Sequence, residues 1–202
     1  MFVTIDGPGG VGKSTLTSEL AAQLARQGVP VHPTTEPSPS PLGDLARHAP
    51  EHYRGLTLAC LVAADRYWHL ETEIQPHLAA REVVISDRYV PTSMVLQRID
   101  GVDRDFIWQL NRHAPPPDLA VILRADPTVL AARLAARGPH TRFERAPGAG
   151  EVESRLYQQA AERLEAAGWS LLTVDSTRAA PEEIATTVLA RILTLRENLQ
   201  PR

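Results

Sequence analysis

The chain has 202 residues, 43% hydrophobic and 22% charged, with a net charge of −3 at pH 7; this is the balance of one globular domain with a sizeable core. The acidic balance argues against a nucleic-acid groove or an anionic membrane as the main partner, since each demands a basic face; the longest apolar run, 56–64, is too short to span a bilayer. Cys60 is the single cysteine, so neither an internal disulfide nor a thiolate metal cage is expected, and with no cleavable signal ahead of the first strand the expected location is the cytoplasm.

Residues 2–6 read as a short apolar strand, followed at once by Gly7-Pro8-Gly9-Gly10-Val11-Gly12-Lys13-Ser14. A helix is predicted over 14–27, with Leu16, Leu20 and Leu24 on one face and Gly28 as its stop. Residues 29–35 read as a second strand. Three prolines in 36–43 mark a loop. The spacing of Leu58, Leu61, Val62 and residues 67–70 predicts a long helix over 55–80, bent before Pro76. Residues 83–86 form a buried third strand, and helices follow over 92–99 and 103–113. The prolines at 115–117 force an extended approach to a fourth strand, 119–123. Asp126-Pro127 is an N-cap with proline at the first helical position, opening a helix to about residue 137. Residues 138–150 are an arginine-rich loop, 151–167 a helix, 170–174 a fifth strand, and Pro181 opens a last helix to about residue 197. Strands alternating with helices specify an α/β fold, a parallel sheet with helices on both faces. No repeat or linker divides it, so 1–202 is expected to be one domain.

Gly7-x4-Gly12-Lys13-Ser14 fits the G-x-x-x-x-G-K-[ST] phosphate loop in its strand–loop–helix setting. Glycines let successive backbone N–H groups turn inward to phosphate oxygens, and the helix behind adds its positive end. Lys13 is expected to reach the β- and γ-phosphates of a nucleoside triphosphate, and Ser14 to ligate Mg²⁺. Lys13 is also the only lysine. In a chain that otherwise uses arginine for every fixed cation, it marks a position where a compact ammonium is needed. Asp87, at the end of the third strand, should face the phosphates and the metal, with Arg88 at the same edge. A guanine-nucleotide switch is excluded, because its Asn-Lys-x-Asp base reader needs a second lysine. A small kinase remains, of a nucleotide or of another small acceptor, as does a nucleotide-binding module without transfer activity.

Several short motifs, in order, resemble the thymidylate kinase family of nucleoside monophosphate kinases: the opening 2–15, Thr35-Glu36-Pro37 with Pro41-Leu42-Gly43, and Ala63-Ala64-Asp65-Arg66 with His69 following. Val83 to Tyr89 with its Asp-Arg-Tyr, Pro117-Asp118-Leu119, and Arg142-Phe143-Glu144 complete the series. The resemblance implies a P-loop NTPase-type three-layer fold, with a five-stranded parallel sheet and a mobile arginine-rich lid over about 138–150. It also implies transfer of the γ-phosphoryl of MgATP to a nucleoside monophosphate, and a homodimer. It places ATP on Gly7, Pro8, Gly9, Gly10, Val11, Gly12, Lys13, Ser14 and Thr15, and Mg²⁺ on Ser14 and Asp87. Arg88 would clamp the acceptor phosphate with Glu36 near it, Arg66 would address the base, and Val62, Thr92 and Gln97 would line the base pocket. The loop residues Pro8 to Val11 include no arginine, so the resemblance assigns the catalytic arginine to the lid: Arg142 first, Arg145 next, with Arg137 assisting. The sequence departs from the family at Gly9, where an acid usually contacts the sugar 3′-hydroxyl, at Thr35, usually arginine, and at Val62 and Leu96, usually aromatic. These departures point to a different acceptor, such as a modified or ribo-pyrimidine nucleotide, or to weak activity, so the expected acceptor is dTMP or a related, modified pyrimidine nucleotide.

Overall fold

The computed structural model describes residues 1–48 and 51–199. Five strands, β1 Phe2–Asp6, β2 Val31–Thr35, β3 Val83–Asp87, β4 Leu119–Arg124 and β5 Leu171–Asp175, form one parallel sheet in the order β2-β3-β1-β4-β5. Around it lie α1 Lys13–Arg26, α2 Pro41–His48, α3 Gly55–His69, α4 Gln75–Ala79, α5 Val90–Ile99, α6 Arg104–Leu110, α7 Pro127–Arg137, α8 Arg142–Arg145, α9 Ala149–Ala166 and α10 Pro181–Leu199. Among the described residues no helix is long and apolar enough to cross a membrane.

The two-residue side-chain period of the central strands builds two cores. Val3, Ile5, Ile85, Val121 and Leu123 face Leu16, Leu20 and Leu24 of α1 and Ile184, Val188 and Ile192 of α10. Phe2, Val84 and Ile122 face the other way, onto Met94 and Val95 of α5 and Leu156, Ala160 and Leu164 of α9. The chain therefore leaves β1 toward one face and β3 toward the other, although the two strands are neighbours, with Ile5 level with Asp87. A crevice opens between their carboxyl ends.

Where the observed elements differ from the sequence reading, the differences have local causes. Val29 belongs to the end of α1 rather than to β2, because its N–H donates to Leu24 O as Gly28 turns at φ 71°, a Schellman-type stop. The loop expected over 36–43 gives way to α2 at Pro41. Ser40 caps it, its Oγ accepting from Gly43 N at 3.0 Å, with proline in the first turn. Before Pro76 the long helix is interrupted, as a π-helical turn, Leu70–Ile74, carries α3 into α4. The segment 138–150, expected as a lid, contains α8, capped by Thr141 Oγ1 accepting from Glu144 N.

Gly43 lies where a Cβ would come within 1.9 Å of Ser38 O. That carbonyl has little freedom to move, since Ser38 N and Oγ both donate to the buried Asp65, at 2.7 and 2.6 Å. Gly43→Ala should therefore destabilise the fold by ~3 kcal/mol, at the upper end for overpacking. The measurement is urea unfolding, where the midpoint should fall at unchanged slope.

Candidate active site

The β1–α1 connection is a glycine-rich ring over the N-terminus of α1. At Gly7, φ is 148° and a Cβ would stand 2.5 Å from Leu123 O, so the ring closes only around glycine. Lys13 is buried, and its Nζ donates to the carbonyls of Gly7 and Pro8, at 2.8 Å each. Burial, and then the charge of Arg88, pull its ammonium well below the usual lysine range. Thr15 and Gly10 to Gly12 edge a cavity of about 250 Å³ beside the ring, closed by Arg133, Ser176 and Pro181.

Across the crevice, β3 delivers Asp87. Ser14 Oγ donates to Asp87 Oδ2 at 2.5 Å, while Asp87 Oδ1 is buried without a hydrogen-bond partner. A hydroxyl and a carboxylate with a spare oxygen are the hard donors that Mg²⁺ takes, so the residues present fit that ion. Arg88 follows with φ 80°, a left-handed conformation that costs a non-glycine residue about 1–3 kcal/mol. Two hydrogen bonds hold it there, Arg88 N to Ile5 O at 2.9 Å and Ser86 Oγ to Arg88 O at 2.8 Å. Burial alone would lower the Arg88 pKa, but Tyr157, Asp87, Glu153 and Asp6 outweigh it and raise the value.

A second cation is enclosed behind the crevice. Arg66 of α3, 1% exposed, pairs with Glu36 Oε2 through Nη2 at 2.7 Å and Nε at 2.8 Å. It also donates to Asn111 Oδ1 and to Ser93 Oγ, and lies 5.4 Å from the centre of the Tyr89 ring. Glu36 Oε1 is buried and unpartnered, 3.6 Å from His69 Nδ1. Glu36 itself hangs beside Asp87, its N–H donating to Asp87 O at 2.9 Å. Gln97 is buried, and its Oε1 also lacks a partner. Val62 and Leu96 pack with Leu58 and with Phe143 of the lid. Thr35 Oγ1 donates to Asp87 O at 3.2 Å.

The lid arginines have carboxylate partners that are neither phosphate-loop nor strand-end residues. Arg142 Nη2 lies 2.6 and 2.5 Å from the two oxygens of Asp100, and its guanidinium stacks on Phe143 at 4.1 Å. Arg145 Nη2 pairs with Glu51 at 2.7 and 2.9 Å on the surface. Arg137 pairs with Glu144 at 2.8 Å.

Sequence reasoning missed the residues that join these parts. Asp6, fully buried, accepts at Oδ1 from Tyr89 N, Thr92 N and Thr92 Oγ1, at 3.0, 3.0 and 2.7 Å. The Thr92 hydroxyl is thus engaged, and it also meets Tyr157 OH at 2.9 Å. Glu153 of α9 is 4% exposed and accepts from Gly9 N at 2.8 Å; burial raises its carboxyl above the usual range. The available signals were an acid directly ahead of Gly7 for Asp6, and an i,i+4 pair on one helix face for Glu153 and Tyr157.

An open parallel sheet binds nucleotides at a crevice of this kind, where the chain changes direction, and the loop at its mouth makes this chain a P-loop nucleotide-binding protein of the kinase type. Comparison with known proteins narrows the class. The family profile described as Thymidylate kinase matches residues 5–186. A probable thymidylate kinase of Pyrobaculum aerophilum is 36% identical over 192 residues, covering 93% of each chain. The thymidylate kinase of Thermomicrobium roseum is 34% identical over 199 residues, 95% of this chain and 93% of its own. A probable thymidylate kinase of Caldivirga maquilingensis is 37% identical over 149 residues, 72% of this chain and 73% of its own. The chain belongs to the thymidylate kinase family.

Replacing Asp6 tests the junction. Asp6→Ala leaves two buried N–H groups without an acceptor, at ~1–3 kcal/mol each, so a loss of ~3 kcal/mol is expected. Asp6→Asn keeps the Oδ1 acceptor and should cost ~1 kcal/mol. Burial raises the Asp6 carboxyl from its ordinary value of 3.8, so the folded state holds its proton to higher pH than the unfolded chain does. Its contribution to stability therefore falls as pH climbs from 3.8 through the raised value. Urea midpoints measured across that window should slope less steeply in Asp6→Asn than in the parent.

Proposed function

We propose that this chain transfers the γ-phosphoryl group of MgATP to thymidine 5′-monophosphate. The observation that carries this reading is the 2.5 Å contact of Ser14 with Asp87 across the β1–β3 crevice, with Arg88 near enough that its charge helps to lower the Lys13 pKa. Two phosphates arriving from opposite sides would then meet between two cations, and phosphoryl transfer is mostly positioning and charge neutralisation. Lys13 leaves the carbonyls of Gly7 and Pro8 to grip the donor β- and γ-oxygens, while backbone N–H groups of the glycine-rich loop surround them. Mg²⁺ on Ser14 and Asp87 would supply further neutralisation of the triphosphate. The cavity edged by Arg133 and Ser176 takes the donor base. Arg88 clamps the acceptor phosphate, whose oxygen is already ionised at neutral pH, so no strong general base is required.

The acceptor base enters over Arg66, Thr92 and Gln97, with Glu36 holding Arg66 in place. The unpartnered oxygens of Gln97 and Glu36 support a ligand with hydrogen-bond donors there, because buried acceptors are otherwise satisfied. A pyrimidine imide N–H is such a donor. Val62, Leu96 and Phe143 make the apolar wall. Its aliphatic part, together with Gly9, favours tolerance of related pyrimidine nucleotides alongside dTMP. In the lid, Arg142 exchanges Asp100 for the transferring phosphoryl group on closure, and Arg145 is second in line.

Acceptor-dependent ADP formation tests this reading, with kcat/KM compared for dTMP, dUMP, UMP, CMP and 5-substituted analogues. The expected result is dTMP turnover at ~10⁴ M⁻¹s⁻¹ or above; no acceptor-dependent turnover with any of them would sink the proposal. Lys13→Ala should abolish transfer in a protein with a near-parental melt. Arg142→Ala should lower kcat by ~10³, and Arg145→Ala by less.

The proposed setting is the cytoplasm, where ATP and reduced thiols suit an exposed Cys60. A homodimer is proposed through the exposed stripe of Leu56, Cys60, Ala64 and Trp68 on α3, spaced i, i+4 along one face. Trp68 alone leaves 51% of its surface exposed, which a second copy would cover. Sedimentation should show a dimer for the parent and a monomer for Trp68→Glu.

A further inference from the structure

On the second residue of edge strand β2, three residues (~10 Å) back from the crevice, His32 meets the end of α4. Its imidazole stacks on that of His77 with ring centres 3.5 Å apart and planes 8° from parallel. His77 Nδ1 lies 2.8 Å from Glu82 Oε2, and His32 Nε2 lies 2.9 Å from Glu73 Oε1. All four side chains are half-buried. One potential ligand atom from each of His32, His77 and Glu82 falls within 4.8 Å of the others.

The two carboxylates bring two negative charges to the cluster, which a dication would balance. Glu73 also accepts from Thr34 Oγ1 at 2.6 Å, so it is anchored and can fix the orientation of His32. Carboxylates commonly orient metal-ligating histidines in this way.

We propose that His32, His77 and Glu82 form a binding site for a borderline divalent cation of the Zn²⁺ class, with Glu73 as the carboxylate that orients His32. Two imidazoles and one carboxylate make a nitrogen-rich set that suits Zn²⁺ or Co²⁺, whereas Mg²⁺ and Ca²⁺ take all-oxygen sets. Zn–N bonds of about 2.0–2.1 Å need ligand atoms about 3.3 Å apart, so the two stacked rings would turn out of parallel to aim both lone pairs at one ion. The ion would tie β2 to the end of α4. The site is distinct from Ser14 and Asp87 and does not depend on the proposed activity.

The test uses the full chain without a histidine tag, stripped of metal. Zn²⁺ binding is measured by competition with a chromophoric chelator, and Co²⁺ serves as the spectroscopic probe. The expected result is one equivalent bound, visible Co²⁺ absorption typical of four-coordinate sites, and a melting temperature raised by Zn²⁺. Binding should weaken at least ~10-fold in His32→Ala, His77→Ala and Glu82→Gln, remain in His113→Ala, and withstand millimolar Mg²⁺. If His77→Ala does not fold, His77→Gln keeps a planar polar group in the stack and replaces it. The proposal is overturned if the parent binds no equivalent, if binding survives loss of both histidines, or if Mg²⁺ displaces the Co²⁺.

Discussion

Asp6 ends β1 where the phosphate loop begins, and three donors from the start of α5 converge on its Oδ1. The geometry of the sheet explains why such a tie is needed. The chain leaves β1 toward the face of α1 and leaves β3 toward the face of α5, so the two exits diverge just beyond their last strand pair. The last main-chain bond between the two strands is Arg88 N to Ile5 O. Beyond it, the spacing of loop and helix rests on side chains, and Asp6 supplies three hydrogen bonds there. A carboxylate in that position is expensive to bury. The N–H groups of Tyr89 and Thr92 and the Thr92 hydroxyl offset part of the cost.

The enclosed pair of Arg66 and Glu36 follows a similar logic. Replacing a buried ion pair by apolar residues of similar size is often neutral or stabilising, so stability alone gives no reason to keep it. Every nitrogen of Arg66 has a protein partner, drawn from α5, from Asn111 after α6, and from the loop after β2. One planar cation thereby fixes three separate segments at the back of the proposed acceptor pocket. An apolar substitute could fill the space but could not set their mutual orientation, because it has no directional bonds.

The strands were legible because the three central ones are buried on both faces and therefore read as largely apolar runs. The phosphate loop was legible because its chemistry demands glycines at fixed spacing followed by Lys13 and Ser14. Two short helices were missed for a shared reason, as Pro- or Gly-rich composition hid their caps. Ser40-Pro41 starts α2, and Thr141 with Glu144 follows the Ser/Thr-x-x-Glu pattern that starts α8. Asp6, Glu153 and Tyr157 were missed because their partners are 65 to 144 residues away in the chain. No local pattern encodes a contact of that range. Thr92 shows the limit from the other side: its place in a motif was readable, but its engagement by Asp6 and Tyr157 was not.

Gly9 gains a physical meaning from the lid. A side chain at this position would begin 2.9 Å from Glu144 Cγ and Oε1, while its N–H already meets Glu153. Glycine thus lets two carboxylates from α8 and α9 approach the loop where the family usually carries an acid on the loop itself. The apolar wall shows a parallel exchange, with Val62 and Leu96 aliphatic and the one aromatic ring in that cluster, Phe143, on the lid. Both changes move groups from the fixed scaffold to the segment that covers it. If dTMP occupies this pocket, its sugar and base meet acidic and aromatic groups that belong to the lid and its helix. Acceptor recognition then depends on lid position, and so does the placement of Arg142, the immediate neighbour of Phe143. Binding energy from the acceptor would be spent on the closure that brings the arginine in. In the proposed mechanism such a coupling would rest on chain connectivity, since one helical turn carries the ring, the arginine and Glu144 together.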